Sequence, residues 1–201
     1  MVVLSIVSCV IAYLLGSVSF SYILTRLIKK VDIRQYGSGN AGATNTARVL
    51  GTGPAIFVLI LDILKGIVAV LIALAFHLSD WGVALSGLCA ILGHVWPIYF
   101  GFKGGKGVAT TIAVFLMLMW LPTLIAAIIA LLLIALTRYI SLGSLAFILT
   151  PIIALFLGGY PMSHIIVSAV IALLIIWKHR SNIKRLVQGN ENKFGSKAKE
   201  L

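Results

Sequence analysis

The chain has 201 residues and a formal net charge of +11, yet only 10% of its residues are charged and 61% are hydrophobic. Soluble domains carry roughly 25% charged residues, so this composition excludes a water-soluble globular fold and indicates an all-α integral membrane protein. We expect one polytopic membrane domain over 1–201, with a polar tail over 186–201. The basic residues are scattered among hydrophobic runs, which argues against nucleic-acid binding and favours positively charged cytoplasmic loops.

Apolar runs predict seven membrane segments. In chain order these are 2–25, 54–76, 82–100, 109–121, 123–137, 143–158 and 163–178. The first run lacks the basic region of a signal peptide and is too long for its apolar core, so we expect a retained span whose uncharged end lies outside. Segments of about 13–16 residues are short for a bilayer, and they indicate helices that end early beside re-entrant or interfacial loops.

The distribution of basic residues decides between one long helix over 109–137 and two shorter ones. With one helix, Arg138 and the basic tail would lie outside, against the positive-inside rule. A break near Pro122, where the missing N–H and the fixed φ interrupt a helix, places every basic residue except Lys65 on the cytoplasmic side. The sequence therefore predicts an outside N-terminus and a cytoplasmic C-terminus.

The first predicted cytoplasmic loop contains a glycine-rich stretch over 37–51 with the sequence GSGNAGATNTARVLG. Glycines permit positive φ and close backbone approach, and successive N–H groups in such a loop form an anion site. A flexible turn is the alternative, but the interspersed polar side chains favour anion binding, with a guanidinium fork suited to phosphate. The side chains that add donors are Ser38, Asn40, Thr44, Asn45 and Arg48.

The second stretch, over 93–111, contains the sequence KGGKG at 103–107 directly before an apolar helix. This order places free N–H groups and two ammonium groups at a helix N-terminus, which is a favourable phosphate site. The spacing does not fit a Walker A loop. A membrane anchor that follows the positive-inside rule is the alternative, and His94 by itself is more often a packed, hydrogen-bonded helix residue than a ligand.

The third stretch, over 177–191, is basic and contains His179 and Asn182, which share one face of a helix at i, i+3. A juxtamembrane segment that touches anionic lipid is the alternative interpretation. Asp62 and Lys65 have the same spacing within a predicted span, where charges are candidates for function or for an ion pair.

The five acidic residues are dispersed, and neither HExxH nor a Cys–His pair occurs. We therefore expect neither a metal nor another cofactor, and a mechanism based on positioning and electrostatics.

Three motifs resemble those of the bacterial acyl-phosphate:glycerol-3-phosphate acyltransferase family: GSGNAGATNTAR at 37–48, GHVWPIYFGFKGGKGVAT at 93–110 and HRSNIKRLVQGNE at 179–191. The resemblance spans essentially the whole chain. It implies transfer of an acyl group from acyl phosphate to the 1-hydroxyl of glycerol 3-phosphate, giving lysophosphatidic acid and phosphate in the first step of phospholipid synthesis. It also implies a seven-helix protein of the bacterial inner membrane with its active site facing the cytoplasm.

Residue roles follow from the resemblance by motif position. It implies that glycerol 3-phosphate is held by Ser38, Arg48, Lys106, His179 and Asn182, and that the acyl-phosphate group is held by Asn40, Thr44, Gly104, Gly105 and Ser144. The catalytic set would be Lys106, Ser38, Arg48 and His179. The substrate's own phosphate would help to take the hydroxyl proton. His179 is the motif side chain that could compete as the base at neutral pH, although a binding role is favoured for it. Expected partners are the two substrates, membrane lipid and, transiently, the soluble enzyme that makes acyl phosphate.

Two other classes compete with the enzyme interpretation. A transporter for a phosphate-bearing solute would show inverted repeats or broken helices near the midplane, whereas these motifs gather at one predicted face. A lipid-binding structural protein would need the basic residues alone, without the Ser, Asn, Thr and Gly pattern.

Overall fold

The computed structural model describes residues 1–195, and this range is entirely helical apart from turns and loops. Ten α-helices follow one another in the described chain: α1 Val2–Gly16, α2 Phe20–Lys29, α3 Ala43–Leu50, α4 Thr52–Ala75, α5 Asp80–Val95, α6 Val108–Leu118, α7 Trp120–Thr137, α8 Ile140–Leu157, α9 Met162–Lys178 and α10 Arg180–Val187. Short 3-10 turns occupy Ile33–Gln35 and Ile98–Phe100. The predicted all-α fold is thus confirmed.

Four stretches are long and apolar enough to cross a membrane: Val2–Lys29, Thr52–Ala75, Asp80–Phe100 and Trp120–Thr137. A fifth results if α9 and α10, which meet at an angle of 61°, are taken as one broken span. The apolar helices Val108–Leu118 and Ile140–Phe156 are shorter. Short helices were expected there, since the predicted segments 109–121 and 143–158 have only 13 and 16 residues. The described chain therefore has four or five clear candidate spans, and the count of seven stays a prediction.

Helix α4 shows the inverted polarity of a membrane protein. Its buried face carries small residues together with Asp62 and Lys65, whereas large apolar side chains face outward. Those exposed side chains are Ile56, Phe57, Leu59, Ile60, Leu64, Val68, Leu71 and Leu74. Since exposed aliphatic surface is favourable only in lipid, this distribution fits a membrane span.

The described chain divides into two compact units, the first formed by Met1–Val114 and the second beginning at Phe115. In the first unit, α1 and α5 approach closely enough that their backbones touch. A Cβ added at Gly16 would overlap the Ala90 carbonyl, and one at Gly93 would overlap the Tyr13 carbonyl. Such small-residue contacts are typical of membrane helix pairs, and they fix the end of α5 from which the second motif loop begins.

In the second unit, α7 packs against α8 around another glycine. A Cβ at Gly143 would lie 2.5 Å from the Ile134 side chain and 2.8 Å from the Ala130 carbonyl oxygen. The ring of Phe115 stacks on that of Phe147 at 6.3 Å between centroids. These contacts hold α8, which carries Ser144, in place within its unit.

The predicted division of 109–137 into two helices is confirmed, but two boundaries differ in detail from the prediction. The first segment, expected as one run over 2–25, is interrupted after Gly16, and α2 restarts at Phe20. The break expected near Pro122 lies at Met119, whose φ of −153° is not helical. Pro122 belongs to the first turn of α7, where its missing N–H removes no helical hydrogen bond, so it starts this helix instead of breaking the preceding one.

Candidate functional site

The first motif loop is shaped by the buried side chain of Asn45. Its Nδ2 donates to the carbonyls of Ile33 at 3.2 Å and Tyr36 at 2.9 Å, and its Oδ1 accepts the Ser38 N–H at 2.8 Å. Gly37 has a φ of +60°, and a Cβ there would overlap Asn45 Oδ1. Asn45 was expected to add a donor for phosphate, but its amide is used to fold the loop.

The remaining polar side chains of this motif lie on the outer part of the loop and on α3. Ser38 is exposed and Asn40 is half-buried. Thr44 in the first turn and Arg48 in the last turn of α3 are four residues apart, so they share one face of the helix. The first motif thus places the Thr44 hydroxyl and the Arg48 guanidinium on one face of α3, beside the loop that Asn45 holds.

A hydrogen bond from Arg34, which is itself ion-paired with Asp32, joins the segment before the first motif loop to the second motif. Arg34 Nη2 lies 2.7 Å from Asp32 Oδ2, and Arg34 Nη1 donates to the Phe100 carbonyl at 2.6 Å. The guanidinium also lies 4.9 Å from the centroid of the Tyr22 ring. We call Asp32 and Arg34 the loop clamp, because together they fix the segment before the first motif loop to the 3-10 turn of the second motif.

The electrostatics of the loop clamp follow from its hydrogen bonds. The Arg34 side chain donates to the Asp32 carboxylate and lowers the pKa of that group, and the Arg34 backbone N–H and positive charge act in the same direction. The same hydrogen bond raises the pKa of Arg34. Both groups therefore remain charged at neutral pH.

The second motif loop folds back onto the C-terminal end of α5. The N–H of Gly104 donates to the Val95 carbonyl at 3.3 Å, and the N–H of Gly105 donates to the His94 carbonyl at 3.0 Å. The N–H groups of Gly104 and Gly105 are therefore used within the protein, and the free N–H groups expected at the N-terminus of the following helix stay a prediction. The last turn of a helix leaves carbonyls without intrahelical partners, and the returning loop supplies donors for them.

Glycine is required at 104 and 105 because the loop is packed without space for side chains. A Cβ at Gly104 would overlap the His94 carbonyl, and one at Gly105 would overlap His94 Nε2 and approach the Ala41 carbonyl oxygen to 2.7 Å. Ala41 belongs to the first motif, so the two glycine-rich loops meet at Gly105. The predicted residues of both loops lie in the first unit, namely Ser38, Asn40, Thr44, Arg48, Gly104, Gly105 and Lys106.

Behind this junction lies a buried charged cluster. Lys65 Nζ is 2.7 Å from Asp62 Oδ1, which confirms that these residues form an ion pair at i, i+3. Lys65 also donates to the Val18 carbonyl at 2.7 Å, which is available where α1 is interrupted, and its Nζ lies 3.1 Å from His94 Nδ1. The interpretation of His94 as a packed, hydrogen-bonded residue is confirmed.

The third motif lies in the second unit, at the bend between α9 and α10. His179 is buried, and its Nδ1 lies 2.8 Å from the Ile175 carbonyl oxygen. Since a carbonyl only accepts, this nitrogen carries the proton. Asn182 Nδ2 donates to Glu191 Oε1 at 2.8 Å, and Arg185 Nε donates to Glu191 Oε2 at 2.7 Å.

Glu191 is therefore a residue whose role the sequence did not reveal. Its buried carboxylate orients Asn182 and ties the segment after α10 back to that helix. Its position as the single acid at the end of a basic motif was the available signal. Ser144, also in the second unit, donates its hydroxyl to the Ile140 carbonyl at 2.9 Å.

Among residues 1–195 no group of three or more His, Cys, Asp or Glu side chains is placed to hold a metal ion. The chemistry that these residues can supply is cationic and hydrogen-bonding. Polar motif loops between outwardly apolar helices define a membrane-embedded protein whose loops carry cationic and hydrogen-bonding groups.

Comparison with known proteins identifies which membrane protein family this is. The family model described as glycerol-3-phosphate acyltransferase matches residues 6–189. Curated relatives of that name include one from Shouchella clausii (strain KSM-K16), 56% identical over 98% of this chain and 99% of the relative, and one from Aquifex aeolicus (strain VF5), 42% identical over 92% and 96%. The chain belongs to the glycerol-3-phosphate acyltransferase family and is thus an acyltransferase.

Two solved structures are similar over nearly their full length. Both are of PlsY, an integral membrane glycerol 3-phosphate acyltransferase. Its glycerol 3-phosphate form has a TM-score of 0.90 and 41% identity, covering 95% of this chain and 96% of that one. Its lysophosphatidic acid form has a TM-score of 0.86 and 39% identity, covering 95% of each chain. The present chain is therefore an integral membrane protein of the same fold.

Proposed function

We propose that this protein transfers an acyl group from acyl phosphate to the 1-hydroxyl of glycerol 3-phosphate, giving lysophosphatidic acid and inorganic phosphate as the first step of phospholipid synthesis. The observation that carries the proposal is the junction of the two glycine-rich loops at Gly105, beside Lys106. The solved relatives in glycerol 3-phosphate and lysophosphatidic acid forms support the acceptor and the product. The three sequence motifs support the acyl-phosphate donor.

The reaction balances without a cofactor. The 1-hydroxyl oxygen attacks the acyl carbonyl carbon and forms the ester bond, and the bond from that carbon to the phosphate oxygen breaks. Phosphate leaves with the electron pair, and the hydroxyl proton passes to a phosphate oxygen of the substrates. Because an acyl phosphate is an activated anhydride, holding the hydroxyl against its carbonyl supplies much of the rate.

We assign the glycerol 3-phosphate phosphate to Ser38, Arg48, Lys106, His179 and Asn182, and the acyl-phosphate group to Asn40, Thr44, Gly104, Gly105 and Ser144. Lys106 would stabilise the charge that develops on the carbonyl oxygen and the departing phosphate. With the proton of His179 on Nδ1, its Nε2 is the nitrogen that would face a ligand. Since Gly104 and Gly105 use their N–H groups internally, they would serve by letting the loop approach the donor closely.

The proposal includes a topology and a setting. We place all 201 residues in one functional domain of seven membrane segments in the bacterial inner membrane, with the N-terminus outside, the C-terminus inside and the site facing the cytoplasm. Acyl phosphate would partition from the membrane or arrive through transient contact with the soluble enzyme that makes it.

Reconstitution tests the proposal directly. Purified protein in liposomes is supplied with radiolabelled glycerol 3-phosphate and, in parallel arms, acyl phosphate, acyl coenzyme A or acylated carrier protein. We expect labelled lysophosphatidic acid with acyl phosphate alone. Product with a thioester alone would overturn the donor assignment, and uptake of label without acylation would favour a transporter.

A further inference from the structure

The ammonium group of Lys65 has three acceptors around it within the first unit. Its Nζ lies 2.7 Å from Asp62 Oδ1, 2.7 Å from the Val18 carbonyl oxygen and 3.1 Å from His94 Nδ1. An ammonium group carries hydrogens and no lone pair, so Lys65 is the donor in its hydrogen bonds with the Val18 carbonyl and with His94 Nδ1, while it forms an ion pair with Asp62. His94 Nδ1 is therefore unprotonated, and the ring hydrogen lies on Nε2.

The protonated edge of the His94 ring faces the second motif loop. Nε2 lies where a side chain at Gly105 would be, next to the Ala41 carbonyl oxygen. The main chain of His94 also accepts the Gly105 N–H at 3.0 Å. His94 thus contacts Gly105 through its ring and through its backbone, and Lys106 follows by a single peptide bond, about 3.8 Å between Cα atoms.

We propose that Asp62, Lys65 and His94 form a positioning relay for Lys106. The ion pair holds His94 in the Nε2–H tautomer, and the ring in turn holds Gly105 at the junction of the two motif loops. The relay rests on the proposed function for its kinetic consequence, whereas the tautomer follows from the contacts alone. In this proposal the three relay residues act through the position of Lys106 and not by contact with substrate.

A simpler role for His94 makes a different prediction. If the ring only completed the shell of acceptors around Lys65, any acceptor at the position of Nδ1 would suffice, and the group at Nε2 would not matter. In the relay, both edges are needed. Losing the Nε2 edge displaces the loop, and a displacement of about 1 Å near a reacting group can lower turnover about 100-fold.

Two matched variants separate these roles. In His94→Asn the amide oxygen can replace Nδ1 as the acceptor for Lys65, but no atom reaches the position of Nε2. In His94→Gln the longer amide can reach the position of Nε2 but leaves Lys65 without its third acceptor. We expect His94→Asn to unfold within a few degrees of the wild type while its kcat falls about 10-fold to 100-fold. We expect His94→Gln to retain more of kcat and to lose more thermal stability.

Ser86→Ala is the control on the same helix. Ser86 is buried and its hydroxyl lies 2.8 Å from that of Ser8, but it is two turns from the motif loop, so this variant should keep wild-type kinetics. Wild-type kcat in His94→Asn would overturn the relay. A loss of kcat that tracks the loss of thermal stability across both His94 variants would overturn it as well.

A spectrum tests the tautomer without any substrate. In protein labelled with nitrogen-15 histidine, the His94 signals are those absent from His94→Asn, and we expect an unprotonated Nδ1 and a protonated Nε2. In Lys65→Met this preference should disappear. A protonated Nδ1 in the wild type would overturn the relay.

Failure of the relay and failure of the proposed function are distinguishable. If the wild type makes no lysophosphatidic acid, the proposed function fails together with the relay's effect on turnover, and the tautomer is judged by the spectrum. If the wild type is active and His94→Asn matches it, only the relay fails.

Discussion

Lys106 is the side chain in the second motif loop on which the proposed chemistry depends most. Replacing it with alanine should lower kcat about 100-fold or more, since removal of one group that stabilises developing charge typically costs that much. The measurement is acyl transfer in liposomes at saturating acyl phosphate. Lys103→Ala removes the other ammonium of the same KGGKG sequence from an exposed position, and it should leave turnover near the wild-type value. A kcat near the wild-type value in Lys106→Ala, as in Lys103→Ala, would remove Lys106 from the site.

Arg48 tests whether geometry or charge matters on α3. Arg48→Lys keeps the charge but replaces a planar fork with a point charge. We expect the KM for glycerol 3-phosphate to rise about tenfold or more, because a charge-assisted hydrogen bond contributes ~1.5–3 kcal/mol. Arg26→Lys, an exposed change on α2, is the control. An unchanged KM in Arg48→Lys would mean that Arg48 serves only the positive-inside rule.

Single residues also show how far the sequence could be interpreted. The pairing of Asp62 with Lys65 was predictable, because partners at i, i+3 meet on any helix. The role of Asn45 was not, since its amide bonds carbonyls 9 and 12 residues earlier, and their positions depend on the path of the whole loop. Glu191 is a similar case, because its partners depend on where the chain turns after α10.

Among the secondary-structure elements, the 3-10 turn that carries the loop clamp gives a prediction of pH dependence. The pKa of Asp32 is lowered in the folded protein, chiefly by the hydrogen bond from Arg34. An acid whose pKa is lower in the folded protein than in the unfolded chain stabilises the fold at any pH above its unfolded-state pKa. This stabilisation is lost as the pH falls through the folded-state pKa. The ordinary pKa of an aspartate is about 3.9. The loop clamp therefore stabilises the fold fully at neutral pH, and this stabilisation is progressively lost below about pH 4.

Asp32→Asn tests this dependence. The variant should unfold at a lower temperature than the wild type in detergent at about pH 7, and the difference should shrink as the pH falls below about 4. Asp80→Asn, which alters an exposed acid at the start of α5, should show no comparable trend. A difference between wild type and Asp32→Asn that stayed constant across this range would show that the charge of Asp32 does not act through the clamp.

Helix limits were predictable where hydropathy changes sharply and less so inside continuous apolar runs. The expected segment 54–76 agrees closely with Thr52–Ala75. The interruption of the first span was missed because Ser17 and Ser19 lie in an otherwise apolar run; the break frees the Val18 carbonyl for Lys65, a long-range contact without local signature. The break at Met119 was assigned to Pro122 because proline is the stronger local signal, although it is equally at home in a first turn.

The two motif loops in the first unit could be predicted to bind anions, but the way in which they meet could not. Their glycines suggested flexible backbone and free N–H groups. The structure instead uses Gly104 and Gly105 for close packing against His94 and Ala41. The glycine-rich composition indicates that the loop backbone approaches another part of the protein closely. Which part it approaches depends on how helices that are distant in the sequence pack together.

The arrangement of the whole molecule in the membrane is the largest prediction that the sequence makes, and it rests on where sixteen basic residues fall. Cysteine reporters can test it after Cys9 and Cys89 are replaced with alanine. Three exposed sites serve as reporters: Lys29→Cys, Asp80→Cys and Gln188→Cys. With a membrane-impermeant maleimide on intact spheroplasts, only the Asp80 reporter should be labelled, and all three should react once the membrane is opened.

The Gln188 reporter discriminates between an odd and an even number of spans. An odd number of crossings, with the N-terminus outside, places it in the cytoplasm, where the positive-inside rule also places the basic residues of α10. If 109–137 crossed the membrane only once, the same reporter would lie outside and would be labelled in intact spheroplasts, while Lys29 stayed protected. That result would overturn the seven-segment topology and the cytoplasmic position of His179 and Asn182. If the Lys29 and Gln188 reporters are both protected, the chain crosses the membrane an even number of times between these two sites. The predicted topology meets this condition because α6 and α7 each cross once.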